Sequence, residues 1–143
     1  MSRYRRINLD GKSVTETRVV AAALLPGTFA VINASDKFAA ATALAGRIYL
    51  VHPASHQGLG VSQAVPVDNS AVAEYVEEGR ELAVLCPAGE YKKDTPIKLG
   101  TAGKGEIGVE GTDVIIAYSQ DEVTLTNDDL IRVRVRAGVA VSA

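Results

Sequence analysis

The chain has 143 residues, 47% of them hydrophobic, and a formal net charge of −2 at pH 7. That length suits one domain burying roughly two thirds of its unfolded surface without covalent staples. A lone cysteine, Cys86, excludes an internal disulfide and cannot by itself build a zinc site; no run approaches the ~20 apolar residues of a membrane helix, and the first residues lack the apolar stretch of a secretory signal.

The expectation is therefore a chain made in the cytoplasm, with no membrane partner. Its apolar content is carried by Val, Ala, Leu and Ile, with two Phe, five Tyr and no Trp, which favours β structure with small layered side chains. Charge is uneven. Residues 1–18 hold Arg3, Arg5, Arg6, Lys12 and Arg18 against Asp10 and Glu16, a local +3 that leaves −5 on the remainder. A basic start on an acidic body suits an arm seeking an acidic partner surface, with nucleic acid as another partner and a frayed, solvated terminus as the plain alternative.

Residues 1–14 follow neither a period of 2 nor one of 3.6 and contain the turn pair Asp10-Gly11. They are expected to form an extended arm that orders on a partner or a neighbouring subunit, ahead of a β-rich domain over 15–143. TETRVVAAALL and TFAVIN read as two strands joined by a Pro26-Gly27 turn. The segment SDKFAAATALAG stays open: Ser35 as an N-cap, the alanines and Gly46 suit a helix, whereas residues 37–41 also suit a strand in a meander. RIYLVH is a strand. Residues 53–69 carry Pro53, Gly58, Gly60, Pro66 and Asp68-Asn69 without a period, a long loop of the functional or interfacial kind.

AVAEYVE reads as a short strand or one helical turn; Glu77, Glu78, Arg80 and Glu81 mark an exposed turn, and the carboxylates Glu74, Glu77, Glu78 and Glu81 around Arg80 read as a solvated cluster. The next stretch, AVLCPAGEYKKDTPIKLGTAG, alternates strand and turn. Pro87 and Pro96 belong at strand starts or edges because they lack an amide proton, and Gly89, Gly100, Gly103 and Gly105 can supply positive φ. TDVIIAYSQ is a buried strand, followed by a polar link over 121–129. The closing strand sets Ile131, Val133 and Val135 on one face and Arg132, Arg134 and Arg136 on the other; the arginine row is expected to face solvent or carboxylates of a neighbouring strand.

Little here assembles chemistry. His52 and His56 have HxxxH spacing, but Pro53 breaks the helix that a metal pair at that spacing needs. Gly103, Gly105 and Gly108 match GxGxxG, yet Val109, Gly111 and a β-branched run follow where a dinucleotide fingerprint must open a helix, so hairpin glycines explain them better. Cys86 ends an apolar run and reads as a small hydrophobe, which disfavours a hydrolase built on it with His52 or His56. No enzyme activity and no cofactor are expected.

In order, PGTFAVI, DKFAAATALAG, RIYLV, QGLGVSQAVP, the 72–103 stretch and RVRV resemble tailed-phage head decoration proteins, also called capsid cement proteins. The correspondence runs through Pro26-Gly27-Thr28, Gln57-Gly58, Ala88-Gly89, Asp94-Thr95-Pro96 and Leu99-Gly100. The resemblance implies a mainly β, single-domain β-barrel or β-sandwich (β-tulip-like) with an extended N-terminal arm and at most one or two short helices. It further implies a virion protein, often a homotrimer, that bridges capsomers on the outside of the expanded shell and contacts the major capsid protein, with no nucleic-acid partner. Candidate contacts are Arg3, Tyr4, Arg5 and Arg6 in the arm and Gln57, Leu59 and Val61 in the loop. The alternative is a β-barrel module for carbohydrate or a cell-surface ligand, against which the scarcity of aromatic rings counts.

Overall fold

Short alternating apolar runs, each cut by a proline, a glycine or an Asx turn, fold as short strands. The computed structural model describes residues 4, 6–11, 14–43 and 47–140, and the side chains of those up to 136. In order, its strands are β1 (Thr15–Val19), β2 (Phe29–Ile32), β3 (Phe38–Ala40), β4 (Tyr49–Val51), β5 (Ser70–Tyr75), β6 (Glu81–Cys86), β7 (Gly89–Tyr91), β8 (Pro96–Leu99), β9 (Gly105–Ile107), β10 (Val114–Ser119), β11 (Val123–Leu125) and β12 (Asp129–Ala140). Helical structure among the described residues is limited to 3-10 turns at Ser55–Gln57 and Thr101–Gly103. The protein is mainly β, as its composition suggests.

Two five-stranded antiparallel sheets dominate, ordered β1-β5-β4-β2-β3 and β6-β12-β10-β8-β9, with β11-β7 as a small third. The first sheet curls until its two edges meet. Val20, just past β1, bridges Phe38 of β3, and Ala21 N donates to Phe38 O at 2.9 Å. Inside the curl lie Val20, Leu24, Ala30, Phe38, Tyr49, Val51, Val65, Ala71 and Ala73, with the Tyr49 ring 5.6 Å from both Phe38 and Tyr75. Its outer face sends Phe29 and Leu50 into a second core with Leu82, Val84, Ile97, Ile116, Leu130, Ile131 and Val133. Both faces are thus covered, which explains why β4 is buried at three successive residues.

Pro26-Gly27-Thr28 joins the sheets. Gly27 N donates to Val51 O of the first sheet at 2.8 Å, and Gly27 O accepts from Leu85 N of the second at 2.8 Å. Its φ of +84° favours glycine, and a Cβ would meet Leu130 Cδ2 at 2.4 Å and Leu85 N at 3.0 Å. A similar approach occurs at Gly103, whose absent Cβ leaves room for Phe29 O at 2.5 Å. Gly105 makes way for Val84 and Cys86, and Gly108 for Ile115 and Lys98, so all three glycines of the GxGxxG match serve close packing.

Several expectations change in detail. The first strand stops at Val19, because Ala21–Ala23 face solvent before Leu24 turns inward. Between β2 and β3, Asn33 Oδ1 accepts from Ser35 N and Lys37 N while Asp36 takes φ +60°, so local Asx bonding makes a hairpin and residues 38–40 are strand; Gly46 lies outside the described residues. Residues 71–75 are strand. Of Gly89, Gly100, Gly103 and Gly105 only Gly103 has positive φ; Asp94 and Ala102 take the other left-handed positions of that stretch. Pro96 does begin a strand. Arg132 and Arg134 pair with Glu81 across the β6–β12 ladder, and Arg136 reaches the Tyr118 hydroxyl at 3.2 Å.

Candidate docking surface

The described part of the amino-terminal arm is a strap on the body. Asn8 bridges Leu82 on the free edge of β6, with Leu9 N donating to Glu81 O at 3.2 Å and Ala83 N donating to Ile7 O at 2.9 Å. Alternation then turns Ile7 into the core, fully buried, and leaves Arg6 exposed. Composition suggests an arm that waits for a partner; a single isoleucine and Asp10 instead give it partners on its own body. Tyr4 is half-buried, its hydroxyl donating to Asp121 Oδ2 at 2.8 Å, an oxygen that also accepts from Arg132 N. Arg3 and Arg5 lie outside the described residues.

Beneath the strap is a buried ionic network. Arg80, with no exposed side-chain surface, donates from Nη2 to Glu74 Oε2 at 2.9 Å, from Nε to Asp10 Oδ2 at 2.8 Å and from Nη1 to Tyr75 O at 3.1 Å. Glu74, 1% exposed, also accepts from Asn8 Nδ2, and its Oε1 lies 3.1 Å from His52 Nε2. Asp10 Oδ2 takes Glu81 N as well. The expected solvated turn of Glu74, Arg80 and Glu81 is corrected here: only Glu77 to Gly79 are exposed, because β5 carries Glu74 under the strap and Arg80 follows it inward.

Burial pushes the His52 imidazole below its ordinary value of 6.5, outweighing the opposing pull of Glu74. The folded state therefore resists the proton. The contribution of His52 to stability is full above about 6.5 and falls away as pH drops through its lowered folded pKa. Urea midpoints measured between pH 7.5 and 5 should decline, and His52→Gln should flatten that decline; an unchanged slope would remove His52 from the account. The Arg132 hydrogen bond holds the Glu81 carboxyl below its ordinary 4.5, so its share is lost only in more acid solution. Cys86 is fully buried and its thiol is pushed up to about 12 by burial. His52 lies against Glu74, so it does not activate the Cys86 thiol.

Residues 55–67 form the second surface. They hold no Asp, Glu, Lys or Arg. Ala54 and Val65 anchor the loop in the curled sheet, Val65 exchanging backbone bonds with Leu24 at 2.7 and 3.2 Å. Between them the 3-10 turn closes on Gly58 at φ +74°, and Gly60 N donates to Gln63 Oε1 at 2.8 Å. Gln57 is exposed and donates to Asn69 Oδ1 at 3.2 Å; Leu59 rests on the core inside the curl and Val61 on the core between the sheets.

Val61 also lines a groove of about 200 Å³ with Leu25, Ser62, Leu85, Asp128, Asp129 and Leu130. Strap and loop thus reach the same strand: Ile7 pairs with Ala83, and Leu85 lies two residues, about 7 Å, farther along. Gln57 sits apart, tied to the start of β5. What the strap carries beyond this, the Asp10–Arg80–Glu74 network, has no sequence period to announce it.

No protein-family model and no curated protein matches the chain in sequence. Among solved structures the chain is similar to the N base of the head fibre gp8.5 of bacteriophage phi29, with a TM-score of 0.59 and 10% identity over 87% of this chain and 95% of that one. At that identity, what the two share is the fold.

Proposed function

We propose that this chain is a structural protein of a tailed-phage head, attached to the outer surface of the shell. The likeness to a head-fibre base, which spans most of both chains, carries the reading. The uncharged, internally braced loop agrees with it, since a docking surface without charges avoids their desolvation cost on binding. The partner in this reading is the major capsid protein, met by Arg3, Tyr4, Arg5 and Arg6 of the amino-terminal segment and by Gln57, Leu59 and Val61 in the loop. Copies assembled as a homo-oligomer, a trimer in this proposal, engage several sites together and gain roughly 10² to 10⁴ in avidity without strong single contacts. Binding only the expanded shell then stabilises it by mass action.

A second reading makes the chain the footing of a longer fibre, and the head-fibre likeness favours it equally. The carbohydrate alternative has less behind it, because the groove lining contains no aromatic ring for a sugar to stack on. Nucleic acid is disfavoured by an arginine row already engaged with Glu81 and Tyr118.

Co-sedimentation with expanded shells and with unexpanded procapsids tests attachment. Saturable binding to expanded shells, weakened by replacing Leu59 and Val61 with serine, is expected; no binding to either shell would end the proposal. Heat resistance of saturated shells separates cement, which raises it, from a fibre footing, which leaves it unchanged.

A further inference from the structure

The strap and its seat behave as ligand and receptor within one chain. Among the described residues, the body offers residues 7–10 a seat: Glu81 O and Ala83 N for the backbone, the core between the sheets for Ile7, Glu74 for Asn8, and Arg80 with Glu81 N for Asp10. The body is also incomplete without them. Removing the strap would strip the outer edge of β6 of these bonds and take an anionic partner from a buried guanidinium, a costly state.

The strap ends at Gly11, which has φ +80°, no atom within 4 Å of where a Cβ would stand, and an N–H bound to Asn8 Oδ1 inside the strap itself. That hydrogen bond lies within the strap, so straightening the chain at Gly11 breaks it without costing Gly11 a described contact with the body.

We infer that the β6 edge is a strand-acceptor site and that, in the assembled protein, the strand over residues 6–10 of a neighbouring copy fills it. Exchange preserves each contact, because the same residues meet the same seat, and the balance between own and neighbouring strap is set by the turn at Gly11 and by local concentration. The inference rests on the proposed attachment only in that crowding on a shell supplies this concentration. It names the partner for the strap as a second copy of this chain.

The experiment needs no shell. Two full-length chains, one with Asn8→Cys and one with Leu82→Cys, are unfolded, mixed at high concentration, refolded and oxidised. Those positions face each other, so a disulfide between the two chains forms only when the strap of one lies in the seat of the other. Buried Cys86 stays silent. The expected result is a covalent heterodimer at twice the chain mass, absent when either chain is oxidised alone. Its absence, while the double variant Asn8→Cys, Leu82→Cys closes its disulfide within one chain, would overturn the inference. The pair Leu9→Cys and Glu81→Cys repeats the test at two half-buried positions, so loss of folding in the fully buried Leu82 variant leaves the question decidable.

Discussion

Arg80→Ala is expected to destabilise the protein by about 3–5 kcal/mol, a fall of roughly 10 °C or more in Tm. The side chain is fully buried, and its removal leaves Glu74, 1% exposed, without its main counter-charge. Asp10 loses its clamp at the same time, so strap and body loosen together. Arg80→Lys should recover only part of the loss, since an ammonium cannot present the planar fork that reaches Asp10, Glu74 and the Tyr75 carbonyl together. Lys92 and Glu90 form a pair of the same formal kind, but both are well exposed, and Lys92→Ala should move the midpoint by less than about 1 kcal/mol. Urea unfolding of the three variants decides the matter; equal effects at positions 80 and 92 would show that burial does not set the value of these ion pairs.

The second large effect is expected at Gly27. Gly27→Ala places a Cβ 3.0 Å from the Leu85 amide nitrogen and 2.4 Å from Leu130 Cδ2, on a residue held at φ +84°. Leu130 can turn away, but the backbone of β6 cannot retreat without weakening the Leu85–Gly27 hydrogen bond that joins the sheets. Backbone strain of about 1–3 kcal/mol adds to crowding of similar size. A combined loss of about 3 kcal/mol or more should appear as a lower Tm with an unchanged β signature in far-UV circular dichroism. Gly79→Ala is the control: its φ is +88°, yet no atom lies within 4 Å of the added carbon, so only strain remains. A Gly27 variant no worse than the Gly79 one would mean that the close approach does not matter.

The β character of the chain is legible because period-2 runs and turn residues are local signals. Ile131, Val133 and Val135 opposite three arginines identify the last strand from its letters alone, and β6, β8 and β10 read almost as clearly. The segment 35–46 does not, because alanine favours helix in isolation and only Asn33, by bonding forward to Ser35 and Lys37, turns it into a hairpin. The strap is the larger loss. Nothing within residues 1–14 distinguishes a free basic arm from one pinned by Ile7 and Asp10, since the partners that pin it stand about seventy residues away. Arg80 and Glu74 read as solvated charges for the same reason: pattern reports a face, not what covers it.

The curled first sheet carries a mechanical consequence. Along β2, Phe29 belongs to the core between the sheets and Ala30 to the core inside the curl; along β4, Leu50 belongs to the former and its neighbours Tyr49 and Val51 to the latter. These two strands are party walls. A vacancy on one side bears on the backbone that also supports the other. Two chemically separate clusters are therefore expected to unfold in one cooperative step.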